Sequence, residues 1–173
     1  KQSGSDLSVF AESEKKKVMP HVFELSMGVD RLFYCILEHC FREKDVKDEA
    51  GNWKLGTGKE WEWFDFPPAI APYHAAIFPL MPKDGLDRKA EEVASLLRGS
   101  GLDVAYRDSG SIGRRYARAD EIGIPYALTI DYDTLKDDTV TIRYRNDGKQ
   151  ERIKISECEG KLKSCMKEGK VTL

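Results

Sequence analysis

Cysteine, histidine and net charge are all in short supply in this chain. Its four cysteines, Cys35, Cys40, Cys158 and Cys165, include no Cys-x-x-Cys pair. That suits neither a zinc site nor a disulfide framework, so reduced and mostly buried thiols are expected. The three histidines, His21, His39 and His74, fall in no metal-binding spacing, and no metal site is expected. No run approaches ~18 apolar residues, and Lys1 to Glu14 holds no apolar signal core, which leads us to expect a soluble cytoplasmic protein. Lys and Arg (28) nearly balance Asp and Glu (30), leaving a net charge of −2. A uniformly basic nucleic-acid binder is thereby excluded, and any contact with nucleic acid must come from a local basic patch. There is also no Ser-His-Asp pattern, phosphate-binding Walker loop or dinucleotide fingerprint.

What is present is 173 residues, 40% of them hydrophobic and 34% charged, enough for one ordinary domain and a modest appendage. Residues Leu7 to Phe10 and Val18 to Leu25 read as the strands of a hairpin. Asp30 reads as a helix N-cap, with Leu32, Phe33, Ile36, Leu37, Cys40 and Phe41 at helical spacing behind it. From Glu43 to Glu62 the chain is charged and glycine-containing, with Trp53, Trp61 and Trp63 as its large anchors, and it reads as an insertion or linker. Phe66-Pro67-Pro68-Ala69-Ile70-Ala71-Pro72 then opens a new unit. Strands are expected at 74–80, 103–107 and 126–131, and helices at 86–98 and 114–122. The tail adds strands at 139–145 and 151–155, joined by Asn146-Asp147-Gly148, and a helix at 156–167. Alternating strands and helices imply an α/β unit, a mixed and mainly parallel sheet flanked by helices with antiparallel strands at one edge, preceded by a partial antiparallel segment. The expected organisation is 1–42, a linker at 43–65, and an α/β domain at 66–173.

Three places carry chemistry. On the expected strand, Glu24 and Ser26 project to one face just before Gly28 and a helix start, so a carboxylate and a hydroxyl can meet a small ligand. Arg31 lies in the first helical turn, where the macrodipole disfavours a cation and a bound anion reverses that penalty; a salt bridge to Asp30 or Glu24 would also account for it. The second place is Asp108-Ser109-Gly110-Ser111-Ile112-Gly113-Arg114-Arg115-Tyr116-Ala117-Arg118, followed by Asp120 and Glu121. Arg114, Arg115 and Arg118 crowd the opening of a helix, where they repel each other and the dipole unless phosphates dock at that end of the sheet. An internal network pairing Arg118 with Glu121 or Asp120 is the competing account. Third, Arg143 and Arg145 share one face of a strand, with Tyr144 opposite; they could hold a single-stranded loop or simply guard a sheet edge.

Residues Gly110 to Arg118 with Asp120-Glu121-Ile122-Gly123, and then Leu128-Thr129-Ile130-Asp131-Tyr132-Asp133-Thr134, resemble the C-terminal anticodon-binding domain of archaeal and eukaryotic glycyl-tRNA synthetases. Upstream, Pro20-His21-Val22-Phe23-Glu24-Leu25-Ser26-Met27-Gly28-Val29-Asp30-Arg31 is similar to motif 3 of the same class II family. The resemblance implies a C-terminal part of such an enzyme, since motifs 1 and 2 are absent. By position, Glu24, Ser26 and Gly28 would hold glycine. Gly28, Asp30 and Arg31 would bind ATP, carried as its Mg2+ complex, with Arg31 also in a catalytic role. Arg114, Arg115, Arg118, Asp120, Glu121, Arg143 and Arg145 would contact tRNA(Gly). The implied partners are tRNA(Gly), glycine and ATP, in a homodimeric full-length enzyme; the fragment alone would be inactive. A non-catalytic paralogue serving as a nucleic-acid-binding accessory subunit is the alternative. Two local departures stand out: Leu25 and Met27 occupy places where the family commonly has proline and an aromatic, and Arg143-Tyr144-Arg145-Asn146 stands where relatives often read Arg-Asp-Arg-Asp.

Overall fold

The computed structural model describes residues 4–44 and 61–172. The chain divides into two compact units, one up to Cys35 and one from Ile36 onward.

In the first unit, β1 (Val9–Ala11) and β2 (Lys16–Val18) form an antiparallel hairpin with Val9 opposite Val18. The expected strand from Val18 to Leu25 stops at Val18, and residues 19–28 carry no ladder. Pro20 explains the stop, because it has no N–H to give and strands beyond it need a neighbour. Val22, Phe23, Leu25 and Met27 are consequently exposed by 70–89%. The helix α1 (Val29–Cys40) spans the division between the units. Its first backbone bond runs from the Leu32 N–H to the Gly28 carbonyl at 3.1 Å. Gly28 therefore holds the cap position and Asp30 lies inside the first turn, correcting the expected cap by two residues.

In the second unit, β3 (Phe41–Lys44) pairs antiparallel with β4 (Trp61–Phe64), so the two ends of the expected linker form a hairpin base. Phe41 meets Phe64 edge-on, and Trp61 and Trp63 stack with centroids 4.5 Å apart. Trp53 lies outside the described residues. After a short 3-10 turn, Pro68–Ile70, come β5 (Ala75–Pro79), α2 (Leu86–Gly99), β6 (Val104–Tyr106), α3 (Ile112–Glu121), β7 (Tyr126–Ile130), α4 (Thr134–Asp137), β8 (Thr139–Tyr144), β9 (Gln150–Lys154) and α5 (Ile155–Glu168). The expected strands and helices of this unit all form.

The sheet order is β6-β5-β7-β8-β9, with β6, β5 and β7 parallel and β8 and β9 antiparallel. Strand alternation sorts side chains onto two faces. Ala75 and Ile77 of β5, Tyr126, Leu128 and Ile130 of β7, and Val140, Ile142 and Tyr144 of β8 enter the larger core beneath α2 and α5. On α2 the buried positions Leu86, Ala90, Val93, Ala94 and Leu97 follow one helical stripe. The opposite face is shallower: Ala76, Phe78 and Ala127 meet Ala119 of α3 and Ile124. Its small residues leave room for Arg143, which projects from β8 on that side. There the sequence expectation of exposed arginines fails, since Arg143 and Arg145 are 3% and 1% exposed. β8 is a central strand, flanked by β7 and β9, and not an edge to be guarded.

Candidate nucleic-acid interface

The C-terminal ends of parallel strands are where open α/β sheets hold ligands, and here Arg115 ties those ends together. Its Nη1 donates to the Pro79 carbonyl at 2.6 Å and the Arg107 carbonyl at 3.2 Å, and its Nη2 donates to Leu80 at 3.2 Å. The guanidinium also lies over the Phe78 ring at 5.6 Å. Arg115 is only 2% exposed, so burial pulls its pKa down, and the charge that most opposes this is Asp108. Among the described residues its Nε has no hydrogen-bond partner. Arg115 is expected to contact tRNA, but here carbonyls at the ends of β5 and β6 occupy both terminal nitrogens of its guanidinium.

Between α3 and the open β6 edge lies a groove of about 850 Å³. Its floor is apolar, built from Ala76, Phe78, Ala105, Ala119 and Ile124, and Tyr73 stands among its lining residues. Arg118, Glu121 and Ile122 line it from one stripe of α3, at positions i, i+3 and i+4. Arg107, Asp108 and Ser109 line it where the chain leaves β6, and Arg98 lines it from the end of α2. Arg98 is already engaged, donating through Nε and Nη2 to the Val104 carbonyl at 3.1 and 2.8 Å. The side chains of Arg107, Asp108, Arg118 and Glu121 are exposed, and among the described residues they form no hydrogen bond or ion pair. Two cations and two anions thus line one apolar-floored groove without neutralising each other, an arrangement able to hold phosphates and to pair with base edges. Arg107, Arg98 and Tyr73 were not foreseen. For Arg107 a signal existed: it is a cation at the C-terminal end of an expected parallel strand, next to a glycine-containing loop.

The remaining expected contacts separate clearly. Arg114 is exposed on α3. Asp120, at 2% exposure, accepts a two-pronged bond from Arg143, Nη1 to Oδ1 at 2.8 Å and Nη2 to Oδ2 at 2.9 Å. Arg143 also lies over the Tyr116 ring at 5.1 Å. Burial pushes the Asp120 carboxyl up to about 6 against the pull of that partner. Arg145 donates to the Gly123 carbonyl at 2.7 Å, to Asp65 at 2.6 Å, to the Phe66 carbonyl at 3.1 Å and to Asn146 at 2.8 Å. Asn146 in turn donates to Asp65 at 2.8 Å. Asp120, Arg143 and Arg145 are therefore internal struts, which corrects their assignment as tRNA contacts: the desolvation of each charge is offset by partners inside the domain, leaving none facing outward.

In the first unit, Glu24, Ser26, Gly28, Asp30 and Arg31 are exposed. The structure brings Gly28, Asp30 and Arg31 together at the start of α1, with Arg31 side-chain carbons 3.7 Å from where a Gly28 Cβ would sit. Glu24 and Ser26 lie in the unpaired stretch before it, so the expected shared strand face is not formed. Neither ion pair considered for Arg31 is present among the described residues.

A mixed α/β sheet with a groove at its strand ends, lined by arginines and carboxylates over an apolar floor, is an architecture in which open α/β domains hold ligands. The comparisons narrow this. Residues 74–164 match the model of the anticodon binding domain family, and the chain belongs to that family. It is similar to the glycine–tRNA ligase of Methanocaldococcus jannaschii, 44% identical over 153 residues, which is 88% of this chain and 24% of that protein. The glycine–tRNA ligase of Archaeoglobus fulgidus is 42% identical over 154 residues, 89% of this chain and 25% of that one. The chain thus spans about a quarter of the length of these relatives. The fold is shared with a crystal structure of prolyl-tRNA synthetase from Cryptosporidium parvum complexed with halofuginone and AMPPNP, at a TM-score of 0.58 and 21% identity, covering 62% of this chain and 23% of that one. Among the described residues no helix is long and apolar enough to cross a membrane, and no cluster of His, Cys, Asp and Glu suits a metal ion.

Proposed function

We propose that this chain is the C-terminal part of a glycine–tRNA ligase and that its groove binds the anticodon arm of tRNA(Gly). The observation that carries the reading is the groove itself. Arg107 and Arg118, exposed and unpaired among the described residues, line an apolar floor beside Tyr73, and this supplies phosphate attraction and a stacking surface together. Identity to glycine–tRNA ligases over more than four-fifths of the chain supports the amino-acid assignment. Arg114, exposed on the same helix, adds a further positive charge for the RNA backbone.

In this reading residues 20–31 belong to the aminoacylation site. Glu24 offers a carboxylate to the glycine ammonium, with Ser26 and Gly28 beside it. Gly28, Asp30 and Arg31 face ATP and its Mg2+, and Arg31 stabilises phosphate charge while the adenylate forms. The exposure of Val22, Phe23, Leu25 and Val29, at 78–89%, supports packing of this stretch against further chain of the ligase. The complete protein would act in the cytoplasm as a homodimer.

The test is binding of the chain to a tRNA(Gly) transcript across a salt series. Arg118→Glu is expected to weaken binding several-fold and to lower the slope of log affinity against log salt by about one to two. Unchanged affinity and slope would remove the groove from the interface.

A further inference from the structure

Asp65 stands where three elements of the second unit meet. Its backbone N–H donates to the Cys40 carbonyl at the end of α1, at 2.6 Å. Its Oδ1 accepts from Arg145 Nη2 at 2.6 Å and from Asn146 Nδ2 at 2.8 Å, and its Oδ2 lies 3.8 Å from Arg42 Nε. Arg42 turns back from β3 and donates through Nη1 to the His39 carbonyl at 2.6 Å. The carbonyls of His39 and Cys40, which a helix end leaves without partners of its own, are thus both taken up here. Arg145, its side chain fully buried, carries the link on to the Gly123 carbonyl just past α3, the helix that brings Arg118 to the groove. One carboxylate joins the end of α1 to the end of α3.

The junction has no slack of its own. α1 ends at Cys40 and β3 begins at Phe41, with no residue between them. His39-Cys40-Phe41-Arg42 contains neither glycine nor proline, the residues typical of exposed and flexible interdomain linkers. Because α1 is one unbroken helix from Val29, the direction fixed at Cys40 is the direction of its whole length. At about 1.5 Å per residue, a tilt of about 10° at Cys40 displaces the first turn by about 2–3 Å.

We propose that Asp65 is a positioning residue for glycyl transfer, locking the helix that carries Arg31 to the domain that holds tRNA. This deepens the ligase reading above and rests on it. Charging has two steps with different needs. In the first, the glycine carboxylate attacks the α-phosphate of ATP and expels pyrophosphate, which requires nothing from the tRNA-binding domain. In the second, a terminal ribose hydroxyl of tRNA attacks the glycyl carbonyl of the adenylate and expels AMP, with net release of the hydroxyl proton to solvent. The tRNA is held at its anticodon arm by one part of the protein while its other end reacts in another, so only this second step needs the two parts in register. A misplacement of about 1 Å costs roughly 100-fold in rate, and a tilt of α1 at Asp65 exceeds that. Asp65 itself touches neither substrate and acts through the direction of α1.

The test uses the full-length protein that carries this chain. Asp65→Asn removes the charge that Arg42 and Arg145 share. Arg42→Gln cuts the α1 side alone, at an exposed residue, and leaves Arg145 its counter-ion, so it folds even where Asp65→Asn does not; circular dichroism and the thermal midpoint verify this. Three quantities are read: glycine-dependent exchange of pyrophosphate into ATP, affinity for a tRNA(Gly) transcript, and single-turnover transfer from preformed glycyl adenylate. Both variants are expected to keep exchange and tRNA affinity within about twofold of wild type while transfer slows by roughly 10- to 100-fold. Transfer at the wild-type rate in a folded variant overturns the inference. A parallel loss of exchange or of tRNA affinity also overturns it, because general damage to the fold lowers all three together. Absence of glycine-dependent exchange or of tRNA(Gly) binding in the wild-type protein overturns the ligase reading itself, and this inference with it.

Discussion

Arg143 and Asp120 meet in the interior as two parallel prongs, 2.8 and 2.9 Å long, joining the central strand β8 to the last turn of α3. Each is a charge removed from water, and each is the other's compensation. Replacing Arg143 alone by Met leaves Asp120 buried without its cation and is expected to cost about 3–5 kcal/mol of unfolding free energy. The double variant Arg143→Met with Asp120→Leu removes both charges and should recover most of that loss. Denaturant unfolding at neutral pH checks both. A single variant as stable as wild type would mean that the pair contributes nothing to holding α3 in place.

Gly123 ends α3 with φ +84, and a Cβ placed there would come within 2.3 Å of the Phe66 ring and 3.0 Å of the Phe64 carbonyl. The close approach is what lets the segment after β4 seat against α3, where Arg145 then binds the Gly123 and Phe66 carbonyls together. Gly123→Ala is therefore expected to lose about 1–3 kcal/mol to overpacking, added to about 1 kcal/mol for the left-handed backbone. Gly110 shares the left-handed conformation, at φ +83, but has open space around it. Gly110→Ala isolates the conformational cost alone, and the difference in unfolding free energy between the two variants measures the Phe66 contact.

The elements of the α/β unit were legible because strand alternation and helical stripes record which face is buried. Alternation does not record what covers that face. Arg143-Tyr144-Arg145 gave a correct two-face pattern, but the acids that receive the arginines, Asp120 and Asp65, lie 23 and 80 residues away in sequence. Nothing local marks such partners, so a pair of internal struts looked like an exposed edge. Asn146 illustrates the same point. As an amide it donates to Asp65 while accepting from Arg145, which a carboxylate at that position could not do. In the arginine-rich opening of α3 the excess of cations was legible, yet its division was not: the helical stripe sends Arg115 inward and leaves Arg114 and Arg118 outside. The stretch before α1 failed for a different reason. Val22 to Leu25 have strand-like composition, but a strand exists only with a neighbour to receive its backbone bonds.

Asp131 and Asp120 should tilt the pH dependence of stability in opposite directions. Asp131 receives two prongs from Arg152, at 2.7 and 2.9 Å, and the Thr134 N–H and hydroxyl at 3.0 and 3.1 Å. Chiefly through Arg152, and then through Thr134, its carboxyl is held well below the ordinary value of 3.8. A depressed acid contributes stability that is present above its unfolded pKa and lost as pH falls through its folded one, so the contribution of Asp131 is full at neutral pH and fades below about pH 4. Asp120 is raised to about 6 by burial. Its proton binds more tightly in the folded state, so its contribution is greatest below the unfolded value and is lost as pH rises through about 6. Unfolding of wild type, Asp131→Asn and Asp120→Asn is to be compared between about pH 7 and pH 3. The gap between wild type and Asp131→Asn should stay constant down to about pH 5 and then close. Relative to Asp120→Asn, wild type should gain stability as pH falls from about 6 to 4. A wild type that loses ground to Asp120→Asn over that interval would mean that Arg143 outweighs burial and holds Asp120 ionised as firmly as Arg152 holds Asp131.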